Sequence, residues 1–355
     1  MKSINGFKIS VIARQVQNST KMPWLRNSKR FLWASAWWRA AITGLNFGEC
    51  RLMSALTPEL TKAPRMILFF WGTMIMACFG IQSAIGQTSP QQPDSSADRK
   101  AACELIDASL QKSFQEKDTT EQIAESQKTS NQILKLCKTN LAVTQILKEA
   151  ISNAADVSDK QQAAKLMQDA LREAGATLAF KPLIEAPLPE GFPEPTPVGE
   201  IQIKKYPAYR LARTQMAGAE SGAFLALFMH IKKQDIAMTA PVEMTYGEAG
   251  KNKLQAEKMA FLYRSTKQGK AGTDEKVEVI DVPATMALSL GMRGDVTKAR
   301  LAEAKAHLDI WLKEHTKEYE ANGQLRVMGY NSPFVAANKR FTEVEVAVRL
   351  VPPTR

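Results

Sequence analysis

An internal repeat at an offset of 76 residues constrains the fold of this sequence more than any other feature. Residues 201–218 align without a gap on residues 277–294, and Pro-Ala, Met and Gly recur at matching positions. Each copy is typical of a strand, a Pro-Ala break and a second strand, followed by a predicted helix, 219–232 or 296–317. The pattern predicts later strands at 236–246, 259–265, 325–330 and 342–351. Two such units, each too small to bury its own apolar face, predict one pseudo-twofold sheet or barrel covered by two helices.

The stretch Ile236–Thr245 alternates apolar with mostly polar residues, which is typical of a strand. Pro241 has no N–H for a ladder, so it should mark a bend, a bulge or an unpaired edge inside that strand. The segment Ile-Ala-Met-Thr-Ala-Pro-Val at 236–242 resembles the signature of the SOUL haem-binding family. Leu227–Ile231 resembles the end of the family's helix before that motif. The likeness runs from about 198 to 352 and includes 329–334 and 343–346.

This resemblance implies an α+β fold, a distorted β-barrel of two pseudo-symmetric βαβ-type repeats with two covering helices. It also implies tetrapyrrole binding, with the helix before the motif forming one wall of the pocket. By that matching, Phe224 and Phe228 are wall residues, while Lys232 and Lys233 are candidate partners for the propionates. Taken singly, each lysine fits a solvated helix end better than this role.

The helix that carries Phe224 and Phe228 is apolar nearly all the way round, although a helix resting on a sheet needs only one apolar stripe. A flat ligand such as haem can cover the remainder. The alternative is that an upstream helical domain folds over the same face, and we predict that it does pack on this helix.

Axial ligation of a haem iron is the least supported part of this interpretation. His230 is the histidine nearest the expected pocket, and Met238 lies within the motif; both residue types can ligate haem iron. His230 nevertheless fits a helix-surface residue better than a ligand, and Met238 shares the core spacing of the other methionines. Lys205 stands where some family members present a histidine. Because no Cys-x-x-Cys-His motif exists, binding would be non-covalent. The chain also lacks the common catalytic motifs, so we expect a binding protein rather than an enzyme.

The N-terminus has the pattern of an exported protein. Residues 1–65 hold eleven Lys or Arg and two acids, which is +9 of the total charge of +11, so the basic pI is no sign of a nucleic-acid partner. Residues 66–86 are typical of a signal peptide with a small-residue cleavage site, and Met66 is an alternative start. A lipid anchor at Cys78 and a retained helix are the other interpretations.

The rest of the chain divides by composition. We predict a disordered tether at 87–97, a helical domain at 98–176, a proline-rich linker at 181–199 and the SOUL-like domain at 200–355. Cys103 and Cys137 are either a disulfide or two buried thiols. The sequence thus predicts an exported tetrapyrrole-binding protein, periplasmic or secreted. The alternative is a non-enzymatic binding module for another apolar small molecule or a protein partner.

Overall fold

The structure is a computed structural model that describes residues 96–216, 220–248 and 253–352. The basic segment 1–65, the signal-like segment 66–86 with Cys78, and nearly all of the tether 87–97 lie outside the described residues. In the part that is described, no helix combines the length and the apolar character needed to cross a membrane.

Four helices come first and form what we call the helical unit. Three of them begin at a capping residue whose side-chain oxygen accepts a backbone N–H: Asp118, Asn140 and Asp159. The helices are α1 Ser96–Gln115, α2 Thr119–Leu136, α3 Leu141–Asp156 and α4 Lys160–Leu178.

The side chain of Asp159 caps α4, and Gly175 lies inside that helix. A Cβ at Gly175 would stand 3.4 Å from the side chain of Ile106 on α1, which is an ordinary van der Waals distance, so packing does not require glycine there. Cys103 and Cys137 are both free thiols, and burial raises the pKa of Cys137 to about 11.

The rest of the described chain is built on one antiparallel sheet. Its strands are β1 Ile201–Tyr206, β2 Tyr209–Gln215, β3 Val242–Glu248, β4 Leu254–Leu262, β5 Gly272–Asp274, β6 Val277–Val282, β7 Thr285–Arg293, β8 Tyr319–Gly329 and β9 Phe341–Leu350. Two further helices are α5 Glu220–Lys233 and α6 Lys298–Glu314. The order across the sheet is β1-β7-β9-β8-β3-β4-β2-β6-β5.

The pairing register reproduces the internal repeat. Ile203 on β1 faces Leu288 on β7, and the same pair shifted by the repeat is Val279 on β6 facing Ala212 on β2. The first strand of each half therefore pairs with the second strand of the other half. The two halves meet where β3 pairs with β8.

The sheet is open, so the expected distorted barrel is wrong. β1 and β5 end the strand order and are not paired with each other. Because each half pairs its first strand with the other half, β1 and β6 lie near opposite edges of the sheet. They are therefore too far apart in the strand order to pair and close a barrel. The two predicted covering helices are present, with α5 against β2, β4 and β6 and α6 against β7, β8 and β9.

The strand that follows the signature motif is shorter than predicted. It begins at Val242, directly after the cis Ala240–Pro241 bond, and residues 236–241 form no strand. Pro241 has no N–H to donate, so the ladder starts after it. Pro241 therefore lies before the strand rather than in a bend inside it.

Residues 181–199, which we call the strap, contain no helix or named strand but are not a free spacer. The strap crosses the sheet face opposite α5 and α6. There the N–H of Glu190 donates to Arg264 and the carbonyl of Pro187 accepts from Ala240. It is extended because of its prolines and fixed because its backbone groups pair with residues that flank β3 and β4.

The helical unit docks on the second half of the sheet. Asn140 donates to the carbonyl of Val198 at 2.8 Å, the N–H of Leu141 donates to Gly199, and Glu173 pairs with Arg293 at 3.0 Å. These contacts place the helical unit beside β7 and α6. They do not show the predicted packing of these helices on α5. The apolar side of α5 needs another explanation.

Candidate functional site

The outer side of α5 presents an apolar surface to solvent. Ala223, Leu227 and Ile231 are buried against the sheet, whereas Leu225 is 47% exposed and Met229 52%. Leu225 and Met229 are four residues apart and therefore lie on the same side of the helix. We call Phe224, Leu225, Phe228 and Met229 the α5 face.

The two predicted wall residues flank this exposed pair. Phe224 and Phe228 are half-buried, with near-parallel rings 6.3 Å apart, and Phe224 meets Phe261 of β4 edge-on at 5.0 Å. Both rings pack partly against the core below the helix. The face is therefore rigid, with aromatic edges held in place by the sheet.

His230 points away from the α5 face and is held by two partners. It is 7% exposed, with Nδ1 3.2 Å from Asp274 and Nε2 3.0 Å from the hydroxyl of Tyr263. Because both ring nitrogens are engaged, His230 has no free nitrogen to offer to an iron. Its role in this arrangement is to tie α5 to β5.

The two predicted propionate partners differ. Lys233 donates to both carboxylate oxygens of Asp274, at 3.1 and 3.2 Å, and this bond with its charge holds the pKa of Asp274 below its usual range. Lys232 is exposed beside it at the end of the helix. Met238 is half-buried under α5 and also lines a small hollow with Ala186 and Tyr330. The predicted residues thus lie along α5 and just after it, but they do not all converge on one pocket.

A group of buried charges on the opposite sheet face was not predicted from the sequence. This polar cluster consists of Lys204, Glu243, Arg326, Glu343 and Glu345, each less than 10% exposed. Lys204 donates to Glu343 at 2.6 Å. Arg326 contacts Glu345 at 2.8 Å and Glu243 at 3.2 Å. The sequence feature that indicates this cluster is the alternation Glu343-Val-Glu-Val346, which puts two acids on one face of a strand.

Tyrosines and the strap complete this cluster. Tyr206 donates to Glu345 at 2.6 Å, Tyr330 donates to Glu343, and the N–H of Thr196 donates to Glu343 at 2.7 Å. Phe192 of the strap closes over the rings of Tyr206 and Tyr209, edge-on at 5.0 and 5.2 Å. The cluster is therefore sealed by the strap, which suits structural use better than contact with a ligand.

Three carboxylates share two cations in the polar cluster. Burial raises the pKa of Glu243, although the charge of Arg326 opposes that shift. Burial also raises the pKa of Tyr209 to about 12. Within the described residues no group of three or more His, Cys, Asp or Glu side chains is placed to hold a metal ion.

Comparison with known proteins identifies the region that carries the α5 face. The model of the SOUL heme-binding protein family matches residues 195–347, which confirms the resemblance drawn from the sequence. That family generally binds rather than catalyses. No curated protein matched the chain.

Among solved structures, the chain is similar to the C-terminal domain of EcmrR, with 15% identity, 43% of this chain and 98% of that chain covered, and a TM-score of 0.34. An uncharacterised conserved protein from Listeria innocua gives 12% identity, 44% and 94% coverage, and a TM-score of 0.34. In the EcmrR–DNA complex the match spans 58% of the EcmrR chain and 43% of this one, with 14% identity and a TM-score of 0.35. Scores this low give no information on the ligand of this chain.

Proposed function

We propose that the region matching the SOUL family binds a tetrapyrrole non-covalently on the α5 face. The observation that carries the proposal is the exposure of Leu225 and Met229 beside the half-buried rings of Phe224 and Phe228. Apolar side chains grouped on a surface in this way mark contact sites. A flat porphyrin matches a shallow surface whose aromatic edges are already fixed by packing.

Packing, rather than a bond to iron, supplies the affinity in this proposal. Burial of apolar area contributes roughly 25 cal/mol per Å² before the cost of association is subtracted. His230 fits the role of a ligand poorly because Asp274 and Tyr263 occupy both of its nitrogens. When haem is bound, its iron would be the redox-active centre, and this chain's residues would serve to hold and orient the ring.

The polar edge of the tetrapyrrole would face the end of α5. Lys232 and Lys233 place two ammonium groups there, and Lys233 is positioned by Asp274. Exposed pairs of this kind contribute only ~0–1 kcal/mol each. The lysines would therefore set the orientation of the ring more than its affinity.

We further propose a binding protein that is exported and has no catalytic step of its own. Export follows from the apolar run after Met66 and the small residues that end at Gly86. N-terminal sequencing of the protein purified from its host tests this, since a mature chain that starts at Met1 contradicts export.

A hemin titration of the full chain tests the ligand. We expect saturable one-to-one binding with a micromolar Kd, equivalent to about 8 kcal/mol. Phe228→Ala should weaken binding by about tenfold or more, whereas His230→Gln should leave the Soret position unchanged. Iron-free protoporphyrin should bind nearly as well as hemin.

Matched controls separate packing from ligation. Phe114→Ala removes a phenylalanine that is 92% exposed on α1 and should change nothing. Loss of the Soret change in His230→Gln, with poor binding of protoporphyrin, would establish iron ligation instead. Absence of any saturable signal would leave the alternative function, in which the α5 face holds another apolar molecule or a protein.

A further inference from the structure

A cleft of about 350 Å³ lies where the helical unit docks on the sheet, far from the α5 face in the fold. Helix α3 forms one wall and α6 the other, and the end of β7 forms the floor. The cleft exists only because the two parts of the chain are packed together. Its volume falls at the lower end of the ~300–1,000 Å³ usual for small-molecule sites.

The floor and the walls of the cleft are largely apolar. Leu141 and Ile146 of α3, Leu290 and Met292 of β7 and Ala304 of α6 all line it. Leu290, Met292 and Ala304 belong to the buried core beneath α6. An apolar ligand body would therefore rest on a surface that already has fixed packing.

Two arginines stand at the polar end. Arg293 donates through Nε to Asn338 and through Nη1 to Glu173, and Arg300 donates through its Nη atoms to the carbonyls of Asp295 and Arg293. A guanidinium has five N–H groups, so these bonds leave N–H groups on both side chains for an acceptor. The planar fork of arginine suits a carboxylate.

The acids around the cleft are nearer to solvent than the arginines. The side chain of Arg293 is 17% exposed, whereas its partner Glu173 is 56% exposed. Glu303 is exposed on α6. The positive charge therefore lies closer to the floor, where a ligand would bind. His307 is half-buried beside it and makes no hydrogen bond to another described residue.

We propose that this cleft binds an amphipathic monocarboxylate, with a single apolar chain on the floor and its carboxylate on Arg293 and Arg300. A chain of about ten carbons suits a small site of this kind. A ring nitrogen of His307 adds a second polar contact beside the carboxylate. This site is separate from the α5 face and does not depend on tetrapyrrole binding.

Isothermal titration of the full chain with decanoate tests the site. Gln145 is exposed at the mouth, so Gln145→Trp should block it and weaken decanoate by about tenfold or more. Lys148→Trp, one turn further on α3 and off the lining, is the matched control and should bind as the wild type does. Thermal unfolding of each variant checks that the fold is kept.

A charge reversal tests the recognition of the carboxylate. Glu303→Lys should tighten decanoate up to about fivefold, since an exposed pair is worth ~0–1 kcal/mol. Glu314→Lys makes the same change on α6 away from the cleft and should have no effect. The neutral analogue 1-decanol should bind more weakly than decanoate and be indifferent to both changes.

Four results would overturn the proposal. If millimolar decanoate gives no saturable heat, the cleft does not bind this ligand. Equal decanoate binding by the wild type and Gln145→Trp would show that decanoate binds outside the cleft. Equal affinities for decanoate and 1-decanol would show that the carboxylate is not recognised. Hemin distinguishes the two surfaces: Phe228→Ala should weaken hemin and leave decanoate unchanged, whereas parallel loss of both would place decanoate on the α5 face.

Discussion

Lys204 and Glu343 form an ion pair of 2.6 Å in which the side chains are only 3% and 0% exposed. They lie on strands that do not touch, with β7 between β1 and β9. Two charges withdrawn this far from water are tolerated because each compensates the other and because further hydrogen bonds reach Glu343. The pair therefore fixes the relation between three strands.

Lys204→Met should lower the free energy of unfolding by about 3–5 kcal/mol, because it leaves the charge of Glu343 buried without its cation. Urea unfolding at pH 7 measures the change. Lys205→Met alters the neighbouring, exposed lysine of the same strand and should shift stability by no more than about 0.5 kcal/mol. A loss below 1 kcal/mol for Lys204→Met would show that this ion pair does not hold the three strands together.

Glu243 should make the protein less stable as pH rises. Burial raises its pKa in the folded state above the usual 4.5, so the folded chain holds this proton more tightly than the unfolded chain does. With respect to this group, stability is highest below pH 4.5 and falls as the pH rises through the folded pKa of Glu243.

Glu243→Gln should remove that slope and equal or exceed the wild type in stability at pH 7, because the amide keeps an acceptor for Arg326 without the buried charge. Urea titrations at several pH values between 5 and 8 give the slope. Glu248→Gln, at the exposed end of the same strand, is the control and should retain it. An unchanged slope in Glu243→Gln would assign it to other groups.

Phe192→Ala should loosen the strap. The ring packs edge-on against Tyr206 and Tyr209, so its removal should cost about 2 kcal/mol and open residues 181–199 to protease. Limited proteolysis under native conditions measures the cleavage rate. Phe334→Ala removes a ring that is 54% exposed and should leave that rate unchanged; equal rates in both variants would show that Phe192 does not hold the strap.

The topology of the sheet was within reach of the sequence, but its closure was not. A gapless repeat requires two equivalent units, and the pairing of Ile203 with Leu288 and of Ala212 with Val279 follows the same offset. Apolar periodicity likewise located α5, predicted at 219–232 and observed at Glu220–Lys233. Periodicity describes which face is buried but not which strand is the neighbour, so it could not tell an open sheet from a barrel.

The site was predicted only in part for a similar reason. The apolar outer side of α5 was predicted because apolar residues around a whole helix require a second contact surface. The contacts of His230 could not be predicted because its partner Asp274 lies on a three-residue strand, too short to be recognised in the sequence. The polar cluster was missed because charged side chains are normally exposed, and its members meet across 139 residues of sequence between Lys204 and Glu343.

Gly199 controls the docking of the helical unit on the sheet. Its φ is +78°, and a Cβ there would stand 2.3 Å from the Asn140 side chain and 2.8 Å from Ala142. Gly199→Ala should therefore cost about 2 kcal/mol or more, from strain and overlap together. Because Gly199 also accepts the N–H of Leu141 at 2.7 Å, amide exchange at the start of α3 should speed up.

Gly222→Ala is the matched change for that experiment. It lies in α5, a Cβ there has nothing within 4 Å, and alanine should stabilise the helix by up to about 1 kcal/mol. Hydrogen–deuterium exchange and urea unfolding of both variants separate the two effects. If Gly199→Ala keeps wild-type exchange at 140–146, the close approach at Gly199 does not hold the helical unit on the sheet, and the contacts of Glu173 with Arg293 must do so.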